Sequence, residues 1–258
     1  MYKRQRIFLA ALALSAAASA QAAVSVGSTS FTYSQSFDTL ASTGSVTFVN
    51  DTTLTGWSLF RALGTSMAVN AGTGSSNAGG FYSFGASASA ERALGSIAST
   101  STGTINYALS LTNNSGSALD SFTLGYDGEQ WRNGGVAAAH ALTVQYGFGS
   151  SYASVSWQTA GAGFDFTSVV GSTTAAAVDG NVAGKVAGLG GTIATNWAVG
   201  DTLWIRWTDV DNTGGDHGLA IDNVSFSVTA AAVPEPTSYA LMLAGLGAVG
   251  FIARRRRS

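Results

Sequence analysis

The sequence predicts an all-β protein whose body is a single antiparallel β-sandwich of the jelly-roll type. Large apolar residues alternate with small or polar residues in several separate stretches, as in strands that bury one face. Clusters of Asn, Ser, Thr and Gly separate these stretches and indicate turns. The chain has no cysteine, so a packed apolar core must hold the domain together without disulfides.

Five stretches show the alternation clearly. Each places a large apolar residue at every second position, which directs those side chains to one face of a strand. The predicted strands cover residues 105–111, 122–126, 142–148, 203–208 and 224–228.

The remaining body segments predict loops within one domain, residues 23–232. Residues 175–186 have the length of a helix, but their glycines favour a loop. Residues 64–80 are rich in Gly and Ser and lie between aromatic segments, which favours a long loop over an inter-domain linker.

The N-terminus has the pattern of a secretory signal peptide. Lys3, Arg4 and Arg6 precede an apolar run over residues 7–18, and Ala20 and Ala22 form an A-x-A-like cleavage site. We therefore predict a signal peptide over residues 1–22 and a mature chain that starts near Ala23.

The C-terminus predicts a short membrane-spanning helix. Residues 237–253 are 17 residues without a charge, about 26 Å as a helix, at the lower limit for a bilayer core of roughly 30 Å. Pro234 and Pro236 keep Glu235 and its neighbours extended, so no helix runs back into the body. A basic cluster follows and favours the cytoplasmic side. It consists of Arg254, Arg255, Arg256 and Arg257.

This ending resembles the PEP-CTERM sorting signal of Gram-negative bacteria, in which a Pro-Glu-Pro triplet, an apolar helix and arginines occur in this order. Here the resemblance covers residues 233–258. It implies recognition by an exosortase, removal of the tail near Pro234–Pro236, and transfer through a transient inner-membrane anchor to the cell surface or extracellular matrix.

The charge distribution excludes nucleic acid as a natural partner. Seven of the 12 basic residues lie in the two terminal segments, whereas 13 of the 14 acidic residues lie between them, which gives the body a net charge of −8. A surface of that sign repels phosphate backbones.

The body also resembles a domain of exported bacterial proteins. The resemblance rests on the segments YSFGASASAERALGS (82–96), YDGEQWRNGG (126–135) and LWIRWTDVDNTGGDHGLAIDNVSFSV (203–228). It implies a concanavalin-like or jelly-roll fold, and the domain carries no settled biochemical activity.

Four aspartates close together in the sequence suggest a structural calcium site, because calcium takes hard oxygen ligands. The spacing resembles the start of an EF-hand loop, but Ala220 stands where the bidentate Glu belongs. A hydrogen-bonded turn without metal explains them equally well, and His217 alone makes a poor zinc site. The candidate calcium ligands are Asp209, Asp211, Asp216 and Asp222.

The position of Asp222 leaves two alternatives. The alternation places Asp222 on the same face as Val224, so its carboxylate would need a partner in the core. Alternatively, a bulge near Asn223 turns it outward.

A second group could bind a ligand through Trp131. An exposed indole could stack on a sugar while neighbouring polar groups bind its hydroxyls; alternatively, Trp131 covers the sandwich edge and the charged residues form ion pairs. The candidate ligand-binding residues are Glu129, Gln130, Trp131, Arg132, Glu91 and Arg92.

These observations favour a non-catalytic surface or matrix protein that contacts exopolysaccharide. The alternatives are a polysaccharide-acting enzyme and a purely structural matrix component. The enzyme would use Glu91 and Glu129, the only glutamates of the body, because glycosidases need two carboxylates.

Overall fold

The computed structural model describes residues 23–229 and 236–255. Within residues 23–229 the backbone forms two β-sheets and two short 3₁₀ turns, Tyr152–Ser154 and Ala162–Phe164. The strands in chain order are β1 Val24–Val26, β2 Thr32–Gln35, β3 Ser45–Thr47, β4 Trp57–Arg61, β5 Ala68–Gly72, β6 Gly80–Phe84, β7 Ala93–Ile97, β8 Ile105–Asn113, β9 Leu119–Asn133, β10 Ala141–Phe148, β11 Gln158–Thr159, β12 Phe166–Thr167, β13 Ala176–Ala177, β14 Lys185–Trp197, β15 Thr202–Asp209 and β16 Gly218–Val228.

Strands distant in sequence lie side by side in both sheets. Sheet A has seven strands in the order β1-β8-β15-β10-β11, with β4 also on β8 and β12 on β10. Sheet B has nine strands in the order β13-β9-β16-β7-β6-β5-β3, with β14 also on β9 and β2 on β16. The pairs are antiparallel except for β1–β8 and β5–β6, which are parallel. The fold is thus an all-β sandwich, as predicted.

The core lies between the two sheets. Trp57 on β4 stacks on Trp207 on β15 with ring centroids 5.6 Å apart, and Tyr126 on β9 meets Trp207 edge-on at 5.6 Å. This contact joins sheet A to sheet B and buries the predicted apolar faces of their long strands. The three buried apolar clusters all lie within residues 23–229.

A bulge in β16 decides between the alternatives for Asp222. Asn223 has φ +50°, and the register of β16 on β9 shifts between Asp222 and Ser225. Ile221 and Val224 therefore both face the core, and Asp222 points to the outer face of sheet B. The bulge prediction is confirmed.

The two predicted loops differ in outcome. Residues 175–186 form no helix, as expected; they contain β13 and turns before β14. Residues 64–80 are not a continuous loop, because β5 lies within them and pairs in parallel with β6. The Gly/Ser content around it concealed this strand, which pairs with its neighbours and buries Val69 in the core.

The C-terminal tail contains a helix, α1, over Pro236–Arg255. Across residues 23–229 and 236–255, no helix is both long enough and apolar enough to cross a membrane. The predicted signal peptide 1–22, as well as Pro234, Glu235, Arg256 and Arg257, lies outside the described residues. Arg254 and Arg255 are exposed in the last turn of α1.

Candidate functional site

The outer face of sheet B carries a second apolar cluster that buries Trp131. Its indole is only 2% exposed and lies parallel to the ring of Phe84 at 6.0 Å. The loop before β14 covers it so closely that a Cβ on Gly180 would overlap the indole. The expectation of an exposed Trp131 that stacks on a sugar is therefore wrong; the alternative, in which Trp131 covers the sandwich, is closer.

The ion pairs expected in that alternative do not form. Arg132 donates to the backbone carbonyls of Gly74 and Ser75 at 3.0 and 3.1 Å. The buried Arg92 guanidinium donates to the hydroxyl of Ser83 at 2.9 Å and to its carbonyl. Both arginines therefore fix loops and strands, and neither forms an ion-pair contact with Glu129 or Glu91, although the charge of Glu91 acts on Arg92.

Gln130 also has a structural position. Its side-chain oxygen accepts hydrogen bonds from the backbone N–H groups of Val169 and Val170 at 3.0 and 2.8 Å. Its amide nitrogen donates to the carbonyl of Val170 at 2.8 Å. These bonds hold the segment after β12 against sheet B.

Beside Trp131, three carboxylates meet on the outer face of sheet B. Glu91 precedes β7, Glu129 lies on β9 and Asp222 lies on β16, and these three strands are neighbours. One carboxylate oxygen from each lies within 4.8 Å of the others. We call Glu91, Glu129 and Asp222 the carboxylate cluster. Among the residues that the structure describes, it is the one group of three or more His, Asp and Glu side chains that could share a metal ion.

The carboxylate cluster is mostly buried and incompletely hydrogen-bonded. Glu129 is fully buried, Asp222 is 3% exposed and Glu91 is partly exposed. One oxygen of Glu129 accepts from the Trp131 indole at 2.8 Å, and one of Glu91 accepts from the Asn181 amide at 2.6 Å. One buried oxygen of each cluster residue has no hydrogen-bond partner: Glu91 Oε1, Glu129 Oε1 and Asp222 Oδ1.

Lys185 at the start of β14 makes an ion-pair contact with this cluster. Its ammonium lies 2.8 Å from Asp127 Oδ2 and 3.9 Å from Glu129 Oε1. The shorter distance shows that Lys185 mainly neutralises Asp127. Lys185 therefore offsets only part of the negative charge that ionisation of the three cluster carboxylates would create.

Burial and mutual repulsion oppose ionisation in the cluster. Desolvation, together with the charges of Asp222 and Glu91, raises the pKa of Glu129 to about 8, despite the indole hydrogen bond. Desolvation, with a contribution from the charge of Glu91, raises the pKa of Asp222 to about 7. Such a site can bind protons or a cation in place of the missing hydrogen bonds.

The other three candidate calcium ligands lie elsewhere. Asp209 is buried at the end of β15 and accepts a 2.6 Å hydrogen bond from Ser96, whereas Asp211 is exposed. Asp216 accepts from the backbone of Asn212 at 2.9 Å. The expected set of four aspartates is therefore not assembled. Asp222 lies within β16, several residues beyond the loop that holds Asp211 and Asp216, and faces Glu91 and Glu129 instead.

Two histidines lie beside Asp216. His140 Nδ1 is 3.4 Å from Asp216 Oδ1, and the His140 ring stacks on the His217 ring at 4.3 Å. His217 Nδ1 is 3.0 Å from the hydroxyl of Ser168. Desolvation lowers the pKa of both histidines, so they are neutral at pH 7 and form a buried polar network.

The outer face of sheet A carries a partly exposed aromatic group that the sequence patterns did not reveal. Phe60 on β4 stacks on Tyr152 at 3.6 Å, and Tyr152 lies 5.2 Å from Trp157. Arg206 on β15 lies over Trp157 at 4.0 Å, and its guanidinium also contacts Gln145 at 2.6 and 2.9 Å. We call Phe60, Tyr152, Trp157 and Arg206 the aromatic surface.

The described residues thus form a two-sheet β protein with these two surfaces. The C-terminal segment, residues 232–257, matches the PEP-CTERM protein-sorting motif, and this motif follows the β-sandwich body. The match confirms the resemblance seen in residues 233–258.

Two comparisons with solved structures gave weak similarity. The CBM22-1 xylan-binding domain from Paenibacillus barcinonensis Xyn10C has 12% sequence identity and a TM-score of 0.38, over 80% of this chain and 99% of that domain. The N-terminal CBM22-1–CBM22-2 tandem domain of the same protein has 13% identity and a TM-score of 0.37, over 82% of this chain and 48% of the tandem. No curated protein is significantly similar in sequence.

Proposed function

We propose that the protein is exported, processed by an exosortase, and presented at the cell surface or in the extracellular matrix as a non-catalytic module that contacts exopolysaccharide. The sorting motif at residues 232–257 supports the first part. Cleavage near Pro234–Pro236 would release the sandwich from its tail, and transient anchoring through residues 237–253 belongs to the same proposal. We also propose that the strands of the sandwich are connected as in a jelly-roll or concanavalin-like fold.

The aromatic surface is the observation that carries the binding part. Aromatic rings contact the C–H face of a sugar ring, and this contact needs rings that remain partly accessible. Phe60, Tyr152 and Trp157 are all partly exposed, and they lie on one sheet face. Arg206 and Gln145 add polar groups beside them that can bind hydroxyls.

This surface suits a neutral or acidic polymer. Arg206 is one of only five basic residues between positions 23 and 233, so its position at the aromatic surface provides local positive charge on an acidic body. Its guanidinium is already positioned by Tyr152 at 3.0 Å and by Gln145, which lowers the entropy cost of binding.

Equilibrium binding to exopolysaccharide from the source organism tests this proposal. We expect residues 23–229 to bind saturably, and Trp157→Ala to weaken binding about tenfold, the equivalent of ~1.4 kcal/mol. Val182→Ala is the control, because Val182 is 75% exposed on a loop over the opposite sheet. Binding that Trp157→Ala leaves unchanged would remove the aromatic surface from the proposal, and no binding at all would favour a purely structural matrix component.

A polysaccharide-acting enzyme is the second candidate. The observation that favours it is the approach of Glu91 and Glu129, since the two carboxyl groups of retaining glycosidases lie about 5–5.5 Å apart. The burial of Glu129 opposes it, because a substrate would have to displace the Trp131 cover. The same incubation is therefore assayed for new reducing ends; their appearance, and their loss in Glu129→Gln, would replace the non-catalytic proposal.

A further inference from the structure

We propose that Glu91, Glu129 and Asp222 bind a divalent hard cation, calcium, which joins three neighbouring strands of sheet B. This site is separate from the aromatic surface and does not depend on polysaccharide binding. It also differs from the calcium site that the sequence suggested, with which it shares only Asp222.

The first argument is the geometry of the unpartnered oxygens. Glu129 and Asp222 are more than nine-tenths buried, each has a buried carboxylate oxygen without a hydrogen-bond partner, and both belong to the group that they form with Glu91. A buried carboxylate oxygen without a partner is unfavourable, and a cation among three of them removes the penalty for all three at once.

The second argument is charge. Asp127, Glu129, Asp222 and Glu91 together carry four carboxylates, and within the described part of the chain Lys185 is the one side chain in ion-pair contact with any of them. Arg92 is adjacent in sequence to Glu91, but its guanidinium is bound to Ser83. A divalent cation would supply most of the missing positive charge.

The third argument is the type of donor. The cluster offers oxygen and neither thiolate nor imidazole, which disfavours zinc and favours calcium. Calcium accepts six to eight oxygens in irregular arrangements, whereas magnesium needs near-ideal octahedral geometry. Glu91 is partly exposed, so ion and water can enter from its side to complete the coordination.

Occupation would link metal to folding. The site closes only when β7, β9 and β16 are paired, so the unfolded chain has no equivalent site and calcium stabilises the folded form. Extracellular modules bind calcium with Kd values of roughly 10⁻⁴–10⁻³ M. An exported sandwich without disulfides would thus gain stability after it leaves the cell.

Calcium titration of the EDTA-treated full-length chain tests the proposal. We expect saturable binding by calorimetry and a rise in Tm of roughly 5 °C at about 100 times Kd, not reproduced by NaCl of equal ionic strength. Glu129→Gln and Asp222→Asn should each weaken calcium binding by about tenfold or more. Asp211→Asn is the matched control, because this exposed loop aspartate belongs to the sequence-suggested site and not to the cluster.

Two further measurements separate ligation from a general effect on folding. Lys185→Met removes the competing ammonium and should tighten calcium binding. Terbium in place of calcium should emit on tryptophan excitation, because the Trp131 indole hydrogen-bonds to Glu129 at 2.8 Å, and Trp131→Phe should reduce this emission without abolishing binding.

Three outcomes would overturn the proposal. A folded chain that shows neither calcium binding nor a calcium-dependent Tm would mean that protons alone occupy the cluster. Loss of binding in Asp211→Asn, with binding retained in Glu129→Gln, would move the site to the loop before β16. An equal response to NaCl would reduce the effect to screening.

Discussion

Two acidic regions of this molecule are built in opposite ways. Asp209, Asp211 and Asp216 lie within eight residues at one hairpin, and both buried members accept hydrogen bonds. Asp216 accepts from the backbone of Asn212 at 2.9 Å, and Asp209 on β15 of sheet A accepts from Ser96 on β7 of sheet B at 2.6 Å. Glu129 and Asp222 lie on two neighbouring strands and Glu91 directly precedes a third, and each keeps a buried oxygen without a hydrogen-bond partner. The buried carboxylates of the group that is compact in sequence accept hydrogen bonds, whereas each carboxylate of the group that is dispersed in sequence has an oxygen without a hydrogen-bond partner.

The difference follows from the backbone around each group. A turn exposes free N–H groups, which short acidic side chains can cap. Strand N–H groups are already paired in the sheet, so side chains on a strand face must find partners among other side chains. Function is therefore more readily inferred where strands bring carboxylates together than where a loop concentrates them.

The largest expected effect on stability comes from substitution of Trp131, which lies beside the carboxylate cluster. Trp131→Ala should lower the free energy of unfolding by about 3–5 kcal/mol, because it empties a buried aromatic site and removes a hydrogen bond from Glu129. Urea denaturation of residues 23–229 measures it. Trp157→Ala, on the partly exposed aromatic surface, should cost clearly less; equal losses would mean that the cover over Trp131 is loose.

Removal of one carboxylate should change the free energy of unfolding by a smaller amount, and with opposite signs in the two acidic regions. Without calcium, Asp222→Asn should raise the free energy of unfolding by about 1 kcal/mol, the equivalent of about one pKa unit, because it removes repulsion within the cluster. Asp216→Ala should lower it by about 1–3 kcal/mol, because the Asn212 N–H loses its acceptor. Denaturation curves in EDTA at pH 8 measure both, and changes of the same sign would contradict the contrast between the regions.

Sequence patterns predicted the sandwich better than its sites. Alternation identified the core strands because the burial of every second residue produces a pattern within one short segment of sequence, as in residues 105–111 and 203–208. The same rule placed Asp222 on the core face with Val224, and the bulge at Asn223 turns it to the outer face instead. The sorting tail was recognisable because its parts are contiguous.

The sites depended on contacts that no local pattern contains. Glu91 and Glu129 are 38 positions apart, and their approach depends on β16 lying between β7 and β9. Trp131 seemed suited to a sugar because its sequence neighbours are polar, yet the covering loop around Gly180 comes from a distant segment. The aromatic surface likewise joins Phe60 to Tyr152 across 92 positions.

The last expected effect is a pH dependence at the hydrogen-bonded region. Desolvation, with a contribution from the charge of Asp216, raises the pKa of Asp209 to about 7, against about 3.9 in an unfolded chain. The folded state therefore binds this proton more tightly, and its contribution to stability is complete below pH ~4 and is lost as the pH rises to ~7. Asp209→Asn keeps an acceptor for the Ser96 hydroxyl, so it should equal the parent at pH 4 and have the higher free energy of unfolding at pH 8, by a margin that grows with pH across this range.

Urea denaturation at intervals from pH 4 to pH 8 measures this difference, with the exposed Asp120→Asn as the control. A gap between Asp209→Asn and the parent that stays constant across the range would mean that Asp209 does not titrate there. A gap that widens with pH would show that even the better-satisfied acidic region costs folding energy once its buried carboxylate ionises. Hydrogen bonds to Ser96 and the Ala98 backbone would then offset only part of that desolvation cost, and the unpartnered oxygens of the carboxylate cluster would need a cation all the more.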